Sequence, residues 1–348
     1  MPANDPALPE GPTAPYSPPP AVTPEEAVTY EPAELVDEST PQSPAEAETG
    51  RKRSFRRRIR LPIILFLLTC FSTFLAGATN WDPFDQLLKC VFFADFMPLR
   101  RVIYLHWDDG LIYMLCVLAI LMTHEMGHFV MTVVYRVRAS LPYFLPLPIS
   151  PIGTMGAVIA MDGQKANRRE IFDIGLAGPI AGLIVAIPIA WIGVRQLNFA
   201  VPPAGGLVLD PPLAMRLIMH YLNVTGFDAN AGIAVSQANP FFLAGWVGLL
   251  VTGLNMMPVS QLDGGHVTYA LFGKTSRWLA RGFMIFVFAY MAFTGEYSWV
   301  PMAVLVLLIG VDHPPTSDDK VRIGPVRTAI GLLSLLIPIL CFIPRLRV

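Results

Sequence analysis

The run LIYMLCVLAILMTHEMGHFVMTVVY, residues 111–135, constrains this chain more than any other stretch. It exceeds the roughly 20 residues that a helix needs to cross the hydrocarbon core of a bilayer. Yet His124, Glu125 and His128 sit together inside it. Ionisable side chains at membrane depth are expensive, face the interior of a bundle, and by default mark a functional site. The chain therefore has to fold so that a bilayer-crossing helix turns three polar groups inward.

The rest of the sequence supplies such a bundle. Of 348 residues, 53% are hydrophobic and only 15% are charged, against roughly 25% charged in ordinary soluble domains. Further apolar runs cover residues 61–79, 171–194, 241–259, 278–293, 299–311 and 326–343. The expected fold class is an all-α polytopic membrane protein with about six to seven transmembrane helices.

The formal net charge of −1 hides a segregation along the chain. Residues 1–50 are acidic, rich in Pro and Ala, and lack Lys and Arg. They cannot bury enough apolar surface to offset ordering entropy, so they read as a disordered tail. RKRSFRRRIR (51–60) is a basic juxtamembrane cluster, and residues 61–348 form the membrane domain. A basic flank marks the cytoplasmic side of a span. That rule places the N-terminus in the cytoplasm, and the expected location is a bacterial inner membrane. Alternating spans then put the basic loops 136–138, 165–169 and 274–281 on the same side, with the terminal PRLRV as the exception. Ala76-Gly77-Ala78 resembles a signal-peptide cleavage site, but the leader it implies is unusually long, so an uncleaved anchor is expected. The basic cluster is explained by its place beside a span, and no nucleic-acid partner is expected. The four cysteines show no paired spacing and read as small apolar packing residues.

Between the second and third spans, LPYFLPLPISPIGTMGAVIAM (141–161) is apolar but broken by Pro and Gly. A straight helix is excluded there. The composition of 153–161 suits a short strand pair, so the segment reads as a membrane-inserted β-hairpin or re-entrant loop. Irregular backbone survives at that depth only where protein or a watery cavity covers it.

On a helix, His124 and His128 stand one turn apart on one face, where two imidazoles can share a zinc ion. Glu125 then reaches the water beside the ion rather than the ion itself, and serves as its proton acceptor. A catalytic zinc takes three protein ligands and keeps one position open. Asp263, in LNMMPVSQLDGGHV (254–267), is the expected third ligand, with His266 three residues on as its rival. Pro258 ends the preceding helix, and Gly264 and Gly265 free the backbone to turn the carboxylate inward. The loop charges put His128 and Asp263 at comparable depth. Asp162 and Glu170 read as solvated. His313, in VDHPPTSDD, ends the sixth span where Pro314 and Pro315 stop the helix, with a role at the cytoplasmic mouth left open.

HEMGH inside one span, with NMMPVSQLDGG at the end of a later one, resembles the site-2 protease family of intramembrane zinc metalloproteases. The resemblance covers about residues 110–275, taken as the protease core. It implies one zinc ion held by His124, His128 and Asp263, with Glu125 as the general base. It also implies that Asn255 positions substrate or stabilises the oxyanion. GTMGAVI (153–159), with Gly153 and Gly156, looks like the family's substrate-pairing hairpin. FDIGLAGPIAG (172–182) is similar to its glycine-rich core segment, whose small residues let helices approach. The 196–240 loop is too short for the PDZ domain of many members, so the chain looks most like the PDZ-free branch of minimal bacterial and chloroplast members. The implied activity is cleavage of single-span transmembrane proteins near the cytoplasmic face of the bilayer, in regulated intramembrane proteolysis. The alternatives are a catalytically silent scaffold or chaperone, and a metal-dependent transporter.

Overall fold

A computed structural model describes residues 44–203, 207–227, 232–259, 261–295 and 297–342. Most of the acidic tail (1–43) and the terminal PRLRV lie outside the described residues. Helix α1 (Pro44–Ala78) carries the apolar stretch Ile59–Ala78. Two short helices follow, α2 (Pro83–Phe92) and α3 (Met97–Leu105).

The centre is built from α4 (Trp107–Val134), α5 (Arg168–Arg195) and α7 (Pro240–Asn255), packed pairwise. Asp108 and Asp109 open α4, where negative charge complements the helix dipole. α5 starts in a capping box: the Asn167 side chain accepts from the backbone of Glu170, whose own carboxylate accepts from the Asn167 N–H. Glu170 is therefore a cap rather than a freely solvated acid. Asn239 caps α7 and Pro240 sits at its first position, where no backbone donor is needed. Trp246 of α7 and Tyr113 of α4 close edge-to-face on Trp81, at 5.6 and 6.0 Å between ring centroids.

Three helices among the described residues are long and apolar enough to cross a membrane: Ile59–Ala78, α4 and α5. α7 is a shorter apolar helix. So are the C-terminal helices α11 (Pro325–Ser334) and α12 (Ile337–Cys341). These two divide the expected last span, and Pro338 at the start of α12 supplies the break. Between α7 and α11 lie α8 (Asp263–Phe272), α9 (Ser276–Thr294) and α10 (Val300–Ile309).

The broken segment before α5 is an antiparallel hairpin, β1 (Tyr143–Pro146) with β2 (Thr154–Val158). The expected strand pair within 153–161 is thereby corrected: that stretch forms one strand, and its partner lies upstream, across the turn that holds Pro148 and Pro151. The 196–240 region holds a second small pair, β3 (Val208–Leu209) with β4 (Ile233–Ala234), and a helix, α6 (Leu213–Tyr221), between them.

Candidate metal centre

One turn of α4 presents both imidazoles to the same side. The Nε2 atoms of His124 and His128 lie 3.1 Å apart. Asp263, the first residue of α8, faces them from across the bundle: its Oδ2 is 3.2 Å from His124 Nε2 and its Oδ1 is 3.3 Å from His128 Nε2. Two elements separated by more than a hundred residues thus close a triangle of nitrogen and oxygen atoms.

Local chemistry holds each corner. The His128 Nδ1–H donates to the Ile174 carbonyl of α5 at 2.8 Å. A carbonyl can only accept, so the proton stays on Nδ1 and the Nε2 lone pair faces the triangle. α5 comes close enough for this contact because it is thinned by glycines. A Cβ on Gly178 would lie 2.1 Å from His128 Nε2, and one on Gly182 would lie 3.2 Å from His124 Nδ1. Asp263 reaches inward through a tight reversal after α7. A Cβ on Gly264 would lie 2.0 Å from the Met256 carbonyl oxygen, so only glycine permits that turn.

The triangle suits a metal. A tetrahedral zinc with ligands at about 2.0–2.1 Å sets neighbouring ligand atoms roughly 3.3 Å apart. The two nitrogens lie 3.1 Å apart. Each has a different oxygen of the Asp263 carboxylate beside it, Oδ2 at 3.2 Å from His124 and Oδ1 at 3.3 Å from His128. One ligand atom from each residue lies within 4.8 Å of the others. Two imidazole nitrogens and a carboxylate oxygen are also a donor set that zinc accepts, with room for a fourth partner.

That room is a cavity of about 160 Å³ lined by His124, Glu125, His128, Asn255, Asp263 and His266, among others. Glu125 is 4% exposed, and its carboxylate has no hydrogen-bond partner among the described residues. Asn255, the last residue of α7, places its side-chain nitrogen 3.4 Å from His124 Nε2. Ala157, Val158 and Ile159, at the end of β2, form another wall. Gly156 sits in that strand at φ +104° with open space where a Cβ would be. Gly153 stands away from the cavity, and its Cβ would strike the α1 backbone 2.6 Å from the Ser72 carbonyl oxygen. His266 borders the cavity but is not part of the triangle. The sequence reading gave the small residues of FDIGLAGPIAG a packing role. It missed that Gly178 faces the ring of His128 and that Ile174 fixes its tautomer.

Site and helices together define a membrane-borne centre of the HExxH type, completed by a distant aspartate. The chain belongs to peptidase family M50, the site-2 protease family, whose family model matches residues 112–294. It is 30% identical over 296 residues to the probable zinc metalloprotease EGY1, chloroplastic, of Arabidopsis thaliana, covering 82% of this chain and 53% of that protein. The EGY1 protein of Oryza sativa subsp. japonica is 28% identical, with 82% and 50% covered. Arabidopsis EGY2 is 24% identical, with 68% and 42% covered. The chain therefore spans about half the length of the curated relatives it matches. No solved structure matches it.

Proposed function

We propose that this chain is an intramembrane zinc endopeptidase of the site-2 type, with His124, His128 and Asp263 holding the ion and Glu125 as general base. The observation that carries this reading is the triangle of two Nε2 atoms and one carboxylate beside the buried Glu125. When bound, zinc supplies Lewis acidity and a water that ionises near neutral pH.

The chain's own groups do the remaining work. Glu125 takes a proton from the attacking water and later delivers it to the leaving amine, so that a C–O bond forms, the peptide C–N bond breaks, and a carboxylate and an amine depart. The side chain of Asn255 donates to the carbonyl oxygen as that atom gains charge. The edge of β2 near Ala157–Ile159 holds the unwound substrate as an added strand, with Gly156 keeping the approach open.

In this reading the shorter helices α7, α9, α10 and the α11–α12 pair complete about six to seven spans, and the hairpin dips into the membrane. Residues 61–348 form the membrane domain, with the N-terminus and the site on the cytoplasmic side. The substrates are single-span membrane proteins. The membrane location stands on the apolar helices and the family. The expected bacterial inner membrane draws no support from relatives whose names assign them to chloroplasts. The complete set of polar residues disfavours a silent scaffold.

The test is cleavage of a model transmembrane substrate in reconstituted bilayers. Cleavage that stops with a chelator and returns with zinc supports the assignment. Cleavage indifferent to both would overturn it.

A further inference from the structure

A third imidazole borders the cavity. His266 lies one turn after Asp263 on α8. Its Nδ1 is 2.6 Å from Nε2 of His313, and Nδ1 of His313 is 2.5 Å from the Pro314 carbonyl oxygen. These two contacts determine where every proton sits. The carbonyl only accepts, so His313 carries its proton on Nδ1, and its Nε2 offers a lone pair. His266 must then donate from Nδ1, which leaves its own Nε2 bare. Burial pushes both rings below the ordinary histidine range, His266 to about 3, so both are neutral near pH 7. Among the described residues, nothing hydrogen-bonds to His266 Nε2, on a ring that borders the cavity.

The segment that carries His313 is tied down along its length. The His313 ring stacks on Tyr269 of α8, at 4.4 Å and 20°. The Tyr269 hydroxyl donates to Asp319 at 2.9 Å, and the Thr316 hydroxyl donates to the same carboxylate at 2.6 Å. The Ser317 N–H donates to the Ala166 carbonyl at 3.0 Å, just before α5. Arg281 of α9 pairs with Asp312 at 2.6 Å. One connection thus bridges the turn before α5, the middle of α8 and the first half of α9. It lies beyond the residues matched by the family model.

We propose that the 312–319 segment is a strap that fixes His266 as a hydrogen-bond acceptor in the cavity, where His266 positions a backbone N–H of the peptide substrate. This rests on the protease reading above. An extended peptide offers one donor and one acceptor per residue. Asn255 supplies a donor for the carbonyl, and His266 supplies the acceptor for the amide. His313 is a positioning residue that acts through His266.

The test uses the full chain with zinc in bilayers, selectively labelled with ¹⁵N-histidine. The nitrogen spectrum of His266 is expected to show Nδ1 protonated and Nε2 bare. That pattern should be lost in His313→Ala and kept in His313→Gln, whose side-chain oxygen can accept from the same Nδ1–H. With a model transmembrane substrate, His313→Ala should raise KM roughly tenfold, the size of one hydrogen bond, with kcat and zinc content held. His313→Gln should restore KM.

An unchanged tautomer in His313→Ala would overturn the strap. A fall in kcat at constant KM, or loss of zinc in His266→Gln, would overturn the substrate role, the latter making His266 a metal ligand instead. A wild-type chain that cuts nothing would overturn the protease reading and the substrate role with it, while the nitrogen spectra separately decide the strap.

Discussion

On one side of the cavity, α4 and α5 approach until a Cβ at Gly178 would collide with a histidine ring. On another, β2 borders the same space with Gly156 in the open, Met155 61% exposed and Val158 52% exposed. The first wall is a buried helix interface in which Ile174 and the α5 glycines fix the imidazoles. The second is a short hairpin whose ladder contains an irregularity between Phe144 and Pro146. The contrast separates two tasks. A metal site requires ligands held to fractions of an ångström, whereas a site for an unwound peptide requires an edge with unsatisfied backbone groups.

Changes to the helical wall should have the larger effects. Asp263→Ala is expected to empty the metal site and abolish cleavage, since it removes the proposed ligand that comes from outside α4. Metal analysis of the purified protein beside His266→Ala checks this. Zinc retained in the first and lost in the second would exchange their roles. Gly178→Ala should come next, because its methyl group has to displace the His128 ring. Zinc affinity should fall at least tenfold, in line with the 10- to 100-fold cost of disturbing groups that orient metal ligands. Normal zinc binding by this variant would mean that the α4–α5 approach is looser than described.

The hairpin should respond more mildly. Gly156→Ala places a side chain at φ +104°, a strain of order 1–3 kcal/mol. It should slow cleavage severalfold and leave zinc content unchanged. A loss of zinc equal to that of Gly178→Ala would erase the distinction between the two walls.

How much of this was legible in the sequence follows the range of the interactions. Helical spacing in HEMGH suggests two ligands and a base, and QLDGG offers a carboxylate next to residues that can turn sharply. Loop charges then placed the two at one depth. Contacts between distant elements left no such trace. The Ile174 carbonyl belongs to a backbone that any residue type could supply, and His313 meets His266 only after α9 and α10 have been traversed. The strand partner of β2 was misplaced because Tyr143–Pro146 contains Pro146, is flanked by Pro142 and Pro148, and shows no alternating pattern. The short helices α2 and α3 fell below the length at which membrane-type periodicity can be read.

The most direct measurement of the central claim compares wild type with Glu125→Gln, each loaded with zinc and reconstituted with the same transmembrane substrate. The substitution removes the proton acceptor and keeps the shape of the cavity. Equal zinc content with cleavage reduced by roughly 10²- to 10⁴-fold is the predicted result. Equal cleavage by both proteins would contradict the account.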